Sequence, residues 1–385
     1  MVAAVRQGES MRSVARRFAV SLDTVQRWIS RAGNQRIDRV DFANQPPGAR
    51  LPANRVSETT EDLILEIRND LKSHSALGEY GSRVIHKELI ARDITDPPAV
   101  RTIGRILERR GALDGRRRRR FPPPPRGWYL PDVASASAEL DSFDIIEDLK
   151  IEEGPLVDVL TGISLHGGLP MAQPFEAQLT AKTVLTALVD HWRTVGLPTY
   201  AQFDNDNRFQ GAHHHLDSLS RVMRLCLSLN VIPVFAPPRE MGLQAMVESF
   251  NGRWSRVVWH RFHHPALLNL KKASERYITA CRAKAPSRVG DTPTRHPFPA
   301  DWALDLQKQP KGRIIYLRRA NEKGAVDFLG HTFSVDPHWP HRLVRCEVDL
   351  NQNRIDFYAR RRREPSVQPL LKSVTHKVPR RKFDG

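Results

Sequence analysis

The first 33 residues have the apolar spacing of two short amphipathic helices. Ser10 can cap the first helix and Ser21 the second, because a serine oxygen accepts hydrogen bonds from the free N–H groups of a first helical turn. The first helix has apolar residues at i, i+3, i+4 and i+7, namely Met11, Val14, Ala15 and Phe18. The second directs Val25, Trp28 and Ile29 inward. Two such helices joined by a few residues are typical of a helix-turn-helix module, although a helical hairpin that packs on another domain has the same pattern.

A second helical unit is predicted over residues 57–115, after a polar linker at 34–56 that contains a Pro-Pro-Gly sequence. Apolar spacing places its helices at 62–72, 82–91 and 98–109. The last of these helices buries Val100, Ile103 and Leu107 and exposes Arg101, Thr102 and Arg105. This pattern favours a second module similar to a helix-turn-helix.

Residues 137–285 change to short apolar strands that alternate with helices. Strands are predicted, in chain order, at 140–146, 156–164, 171–177, 199–203 and 231–236. Helices are predicted at 181–195, at 216–229 and from about residue 242 past Trp254. Three strands followed by helix, strand, helix, strand and helix is the element order of the RNase H-like fold. We therefore predict a mixed-sheet α/β core of this type.

The chain becomes strand-like again after a hinge at 286–309, whose first part, 286–299, is rich in proline and basic residues. Alternating patterns and turn signals predict five strands, at 312–318, 325–329, 331–335, 342–349 and 354–359. Five short strands suggest a small β-barrel within 310–385, followed by a basic tail. The barrel is interpreted as a further contact to the DNA backbone, with a purely structural barrel as the alternative.

The net charge of +17 and the isoelectric point near 10.3 favour a polyanionic partner, of which nucleic acid is the commonest. A ribosomal or membrane-surface protein has a similar charge. The linker at 116–136 begins with five consecutive arginines and continues with four prolines, which is typical of a phosphate-tracking strap or of a solvated spacer. The residues predicted to contact DNA are Thr24, Gln26, Arg27, Arg101, Arg105, Arg116, Arg117, Arg118, Arg119 and Arg120.

The three cysteines, Cys226, Cys281 and Cys346, are far apart, which excludes a disulfide framework and disfavours a cysteine-based zinc site. No stretch has the length and hydrophobicity of a membrane span, and no secretory signal is recognised. The sequence therefore predicts no membrane partner and a cytoplasmic, nucleoid-associated protein.

Three sequence blocks in the predicted core contain carboxylates. They are Ala138-Glu139-Leu140-Asp141, then Phe203-Asp204-Asn205-Asp206-Asn207-Arg208-Phe209, and last Val247-Glu248-Ser249-Phe250-Asn251-Gly252-Arg253. These blocks resemble the signature blocks of insertion-sequence DNA transposases, whose catalytic core is similar to that of retroviral integrases. The resemblance implies that Asp141, Asp204 and Glu248 are the catalytic carboxylates and metal ligands of a DDE-type polynucleotidyl transferase. Asp144 is the alternative to Asp141 as the first catalytic carboxylate.

Physical chemistry agrees with this interpretation. Phosphoryl transfer on DNA needs divalent cations, and two Mg²⁺ or Mn²⁺ ions held by carboxylates would supply them. Carboxylates brought together without cations would repel one another and raise one another's pKa. On the last predicted helix, Glu248 lies at the margin of an apolar stripe formed by Leu243, Val247, Phe250 and Trp254, so that it can face a cleft.

The chain departs from the family pattern in two ways. Asp206 stands where the second block usually has glycine, and the 44-position interval between Asp204 and Glu248 is longer than usual. The extra residues are expected around 210–220, a segment that contains three adjacent histidines, His213 to His215. Three histidines suggest a metal, but adjacent side chains diverge, which favours an ordinary loop.

The sequence as a whole predicts a multidomain α/β DNA transposase with N-terminal helix-turn-helix modules, an RNase H-like core and a small C-terminal β-barrel. Its partners would be double-stranded DNA, as element ends and as target, and further copies of the chain in a homo-multimer on DNA. One alternative is a domesticated, inactive transposase that acts as a sequence-specific DNA-binding regulator. The other is an RNase H-like nuclease without a joining step.

Overall fold

The structure is a computed structural model that describes residues 1–43, 56–114, 127–152, 154–211, 215–238, 240, 242–287, 292–360, 364–379 and 383. The arginine run at 116–120 and the histidines at 213 and 214 therefore lie outside the described residues. The chain divides into two compact units, Met1–Glu61 and Asp62–Gly385. The finer domain boundaries predicted from the sequence remain predictions.

The first unit contains three helices: α1 (Val2–Arg6), α2 (Met11–Arg17) and α3 (Leu22–Ala32). Ser10 and Ser21 cap α2 and α3 as predicted, each accepting a hydrogen bond of 3.2 Å from the backbone N–H three residues later. Val14, Ala15 and Val25 are buried between the helices. Met11 and Phe18 were predicted on the apolar side but are 38% and 45% exposed. The two predicted helices are confirmed; their role as a DNA-binding helix-turn-helix remains a prediction.

The helices of the predicted second module are α4 (Glu58–His74), α5 (Ser82–Ala91) and α6 (Val100–Arg109). Ile64, Ile85 and Ile103 on them are fully buried. The end of α4 is attached to the large core through Arg261, which donates hydrogen bonds to the carbonyls of Ser75 (2.6 Å) and Lys72 (2.7 Å). This segment is thus packed on the core.

A nine-stranded mixed sheet runs through the second unit, with the strands of residues 140–235 on one side and those of the C-terminal part of the chain on the other. Its first five strands along the chain are β1 (Leu140–Lys150), β2 (Leu156–Ser164), β3 (Pro170–Glu176), β4 (Tyr200–Phe203) and β5 (Ile232–Phe235). Strands β1, β2 and β3 are antiparallel neighbours, whereas β4 and β5 continue parallel to β1. Their order along the chain is the one predicted from the sequence.

Helices cover both faces of this sheet. A short helix α7 (Pro131–Ala134) precedes β1, and the helices that follow β3 are α8 (Ala181–Val195), α9 (Asn207–Gln210), α10 (Arg221–Ser228), α11 (Ala245–Trp254) and α12 (Leu267–Lys284). Helices α8 and α10 pack with Phe143 and Phe203 in one core. Helices α11 and α12 pack with Val157 and Val159 in another. Since Phe143 and Asp144 are consecutive strand residues, their side chains point to opposite faces.

The C-terminal strands correct the predicted barrel. The strands are β6 (Arg313–Arg319), β7 (Ala325–Phe328), β8 (His331–Ser334), β9 (Leu343–Asp349), β10 (Arg354–Ala359) and β11 (Leu370–Thr375). Five of them were predicted nearly to the residue, but β6 pairs in parallel with β5, and β9, β10 and β11 extend the same sheet. Only β7 and β8 pair apart from it, as a two-stranded hairpin. Among the helices of the described ranges, none is both long and apolar enough to cross a bilayer.

Candidate active site

The parallel pairing of β1 with β4 sets the position of Asp144 relative to Asp204 along the two strands. Leu140 is opposite Tyr200 and Ser142 is opposite Gln202, so the same register continued by two residues places Asp144 level with Asp204. Asp204 follows directly after β4, at its carboxyl end. This edge of a parallel sheet is where functional groups converge in α/β folds.

The third carboxylate comes from α11. Glu248 lies exposed in the first turn of this helix, and Val247, Phe250 and Trp254 are buried against the sheet, as the predicted stripe requires. One turn after Glu248, the side-chain amide of Asn251 donates a 2.8 Å hydrogen bond to Asp144. Helix α11 therefore lies over the middle of β1, on the face that carries Asp144.

Asp144 interacts electrostatically with both of the other carboxylates. Burial, followed by the charges of Asp206 and Asp144, raises the pKa of Asp204 to about 6, against a backbone hydrogen bond from Asp206 that lowers it. Burial also raises the pKa of Asp144, to which the charge of Glu248 contributes. Carboxylates arranged in this way favour a bound cation, because its charge offsets their mutual repulsion.

Asp141, which the sequence predicted as the first catalytic carboxylate, is placed elsewhere. It lies three residues before Asp144 on β1, an odd separation that turns its side chain to the opposite face. There it is fully buried and accepts two hydrogen bonds from the guanidinium of Arg295, of 2.8 and 2.7 Å. The indole N–H of Trp192 donates a third, of 3.1 Å. The structure thus places Asp144, and not Asp141, where it interacts electrostatically with Asp204 and with Glu248, and it holds Asp141 in a buried ion pair.

Asp206, the departure from the family pattern, has a local partner. Its carboxylate caps α9 and accepts 2.7 Å hydrogen bonds from the side chain of Arg208. Burial acts to raise the pKa of Asp206, but the hydrogen bonds and charge of Arg208 outweigh it, and the pKa is lowered. Arg208 also pairs with Glu147 on β1 at 2.5 Å. The additional negative charge beside Asp204 is therefore neutralised within the same loop.

The loop after β4 is fixed by two residues that the sequence did not single out. Asn205 donates a 2.6 Å hydrogen bond to the carbonyl of Ala236, at the end of β5. Arg318, on β6, donates to the side-chain oxygen of Asn205 at 3.0 Å. Asn205 and Asn251 both belong to the sequence blocks quoted above, which was a usable signal. Arg318 had none, because its place depends on the pairing of β6 with β5.

The interval between Asp204 and Glu248 contains α9, α10 and β5, and the described residues between α9 and α10 are 211 and 215–220. The helix predicted at 216–229 begins only at Arg221, because Ser220 caps it. The predicted DNA-contacting residues that the structure describes are polar surface positions on α3 and α6. Gln26, Arg27, Arg101 and Arg105 are exposed, and Thr24 is half-buried.

No protein-family profile matches the chain, and no curated protein matches it. Among solved structures, it is similar to a chain of the simian T-cell lymphotropic virus intasome in complex with PP2A regulatory subunit B56 gamma (13% identity, TM-score 0.32, 62% of this chain and 78% of that chain). It is also similar to the catalytic core domain of BIV integrase (14%, 0.28, 37% and 81%). A third is the HTLV-2 integrase catalytic core domain in complex with magnesium (15%, 0.27, 36% and 82%). All three identities and TM-scores are low.

Proposed function

We propose that this chain is a DDE-type DNA transposase that cleaves and joins DNA strands, with Asp144, Asp204 and Glu248 as its catalytic carboxylates. The observation that carries the proposal is the position of Asp144: it is level with Asp204 at the end of β4, and it interacts electrostatically with Asp204 and with Glu248 on α11. The first carboxylate differs from the one that the sequence predicted. The order of the carboxylates along the chain and the type of element that carries each are unchanged.

The donor set fits divalent cations. Asp144, Asp204 and Glu248 would hold Mg²⁺ or Mn²⁺, and we propose two ions, because hard cations prefer carboxylate and water oxygens. When bound, such ions activate an attacking oxygen and neutralise the charge on the leaving oxygen. The chain's own contribution is to hold the carboxylates in place. Asn251 orients Asp144 through a hydrogen bond, and Arg208 removes the competing charge of Asp206.

The proposed reaction has two steps at this site. In the first, the oxygen of a water bonds to a phosphorus at the element end, the P–O3′ bond breaks, and the leaving oxygen takes up a proton as a free 3′-OH. In the second, this 3′-OH attacks a phosphate of target DNA and displaces another 3′ oxygen. We further propose that α3 and α6 recognise the element ends and that several copies act together on paired ends.

The test is an assay of the full chain on end-labelled duplexes that carry the DNA flanking its gene, with Mg²⁺ or Mn²⁺. Nicked products at a defined position and joined products of higher mass are expected. If neither product forms with either metal although the chain binds the same duplex specifically, the regulator becomes the better interpretation. If nicking occurs without any joining, the RNase H-like nuclease becomes the better interpretation.

The arginine run is expected to set the salt dependence of DNA binding. Replacing Arg116 to Arg120 with alanine should weaken binding to all duplexes and make the salt slope shallower by up to about 0.9 for each phosphate that is no longer neutralised, because every neutralised phosphate releases counterions. The measurement is the affinity for one duplex across a salt series. The matched control replaces the same residues with lysine, which keeps the charge and should keep the slope. An unchanged salt slope in the alanine variant would contradict the interpretation of the arginine run as a phosphate-tracking strap.

The pairing of Arg208 with Asp206 is expected to matter for cleavage. Arg208→Gln leaves Asp206 as an uncompensated charge beside Asp204, and we expect about a tenfold loss in nicking rate, since a nearby carboxylate disfavours the ionised form of Asp204. The double variant Arg208→Gln/Asp206→Asn removes the unpaired charge and should recover most of the rate. A double variant as slow as Arg208→Gln alone would show that Arg208 acts through another contact, such as the one with Glu147.

A further inference from the structure

A second cluster of potential metal ligands lies outside the three-carboxylate site. Asp217, His331 and His376 come from three distant segments: the loop before α10, the start of β8 and the residue after β11. Their ligand atoms all lie within 4.8 Å of one another. The side chains of Asp217, His376 and His331 are 8%, 16% and 30% exposed, so the cluster is partly buried and remains accessible from solvent through His331.

The side chains converge on one point. The Nε2 atom of His376 is 2.7 Å from Oδ1 of Asp217, and the Nε2 atom of His331 is 3.2 Å from the same oxygen. The two imidazole rings are in edge-to-face contact, with centroids 5.0 Å apart. Each of the two His–Asp contacts has the distance of a hydrogen bond. Together they turn two imidazole Nε2 atoms, both potential metal donors, toward the same carboxylate oxygen.

We propose that Asp217, His331 and His376 bind one zinc-type transition-metal ion, distinct from the divalent ions of the active site. Neutral imidazole nitrogens with a carboxylate are a donor set that suits Zn²⁺ and its first-row neighbours, whereas Mg²⁺ prefers oxygen ligands alone. Zn–N and Zn–O bonds are about 2.0–2.2 Å long, which puts two ligand atoms of a tetrahedral ion about 3.3–3.6 Å apart. To admit the ion, Nε2 of His376 would separate from Oδ1 of Asp217 by about 0.6–0.9 Å, and Nε2 of His331 by less. Three protein ligands leave the fourth position of a tetrahedral ion open.

The backbone around the cluster is already tightly packed. The N–H of Asp217 donates a 2.9 Å hydrogen bond to the carbonyl of Leu329, and the N–H of His376 donates a 2.8 Å bond to the carbonyl of Asn353. A Cβ on Gly330 would come within 3.0 Å of the backbone of Leu216, so only glycine fits there without displacement. The ligands are therefore held in place by main-chain contacts, which lowers the entropy loss of ordering them around an ion.

The ion would connect the segment before α10, which contains Asp217, to the C-terminal strands. Asp217 lies in the segment between α9 and α10, and His331 begins β8, the second strand of the hairpin formed by β7 and β8. His331 also lines a cavity of about 370 Å³ whose wall includes Asn205 and Arg318. Since Asn205 directly follows Asp204, a metal at His331 would brace the cavity wall that reaches the active-site loop.

The test measures zinc on the full chain. After loading with Zn²⁺ and dialysis against metal-free buffer containing Mg²⁺, wild type should retain one equivalent, and chelation should lower its unfolding temperature. His376→Gln and His331→Gln should lose that equivalent. The exposed His338→Gln is the matched control and should keep it. Asp144→Asn should also keep it, which separates this site from the proposed active site.

A measurement on wild type alone guards against variants that do not fold. Co²⁺ in place of zinc should give the visible absorption of a four-coordinate ion with nitrogen ligands, and adding Zn²⁺ should abolish it. The proposal is overturned if wild type retains no zinc and gives no such spectrum. It is equally overturned if folded His376→Gln and His331→Gln bind zinc as wild type does.

Discussion

Asp144→Asn is expected to abolish both nicking and joining of DNA while DNA binding stays close to that of wild type. Asparagine keeps the size of the side chain and can still accept from Asn251, but it lacks the charge that a divalent cation requires. Metal ions supply several kcal/mol of transition-state stabilisation, so the rate should fall by about 10³-fold or more. Asp204→Asn and Glu248→Gln should behave alike, and double variants should be little worse, because groups that act as one unit are not additive.

The expected defect of Asp144→Asn is one of chemistry and not of folding. Burial raises the pKa of Asp144 and so disfavours its charge in the folded chain without metal, and the neutral variant should unfold no more easily than wild type. Asp148→Asn is the matched control, since Asp148 is an exposed aspartate on the same strand and should keep full activity. If folded Asp144→Asn is active and folded Asp141→Asn is inactive, the first catalytic carboxylate is the one predicted from the sequence.

The sequence predicts which residues form strands here, but not which aspartate faces the site. Both faces of β1 are covered by helices, so its apolar residues do not alternate with polar ones as they do in a half-exposed strand. Asp141 and Asp144 are therefore equivalent by pattern. The parallel register with β4 distinguishes them, and that register joins residues 60 positions apart. Only tertiary pairing sets it.

The C-terminal strands also show that local patterns locate the strands but do not predict how the strands pair. Alternation and turn signals located β6 to β10 well, because these depend on neighbouring residues. The assembly of the strands was predicted wrongly as a closed barrel. The pairing of β6 with β5 joins Ile315 to Val234 across a segment predicted as a hinge. No local signal in the sequence reports a partner strand at that distance.

The predicted hinge also contributes to the interior of the core. His296 pairs with Leu197, two residues after α8, through two backbone hydrogen bonds of 2.7 and 3.0 Å. The preceding residue, Arg295, reaches Asp141 and also donates to the carbonyl of Gly196 at 2.7 Å. The proline-rich composition of the segment predicts a spacer and gives no sign that Arg295 is bound in the core. In the structure, the partner of Arg295 is an aspartate 154 positions earlier.

Arg295→Met is expected to destabilise the chain by about 3–5 kcal/mol, the usual effect of removing one partner of a buried ion pair. The carboxylate of Asp141 is fully buried, and without the guanidinium it would keep a single hydrogen-bond donor, the indole of Trp192. Chemical denaturation followed by tryptophan fluorescence measures the change. Arg256→Met, at an exposed position, is the control and should change the free energy of unfolding by less than about 0.5 kcal/mol. The double variant Arg295→Met/Asp141→Asn removes the unpaired charge and should recover part of the stability. An Arg295→Met variant within about 1 kcal/mol of wild type would show that the pair does not hold the hinge segment on the core, since a buried carboxylate without its cation destabilises a fold by more than that.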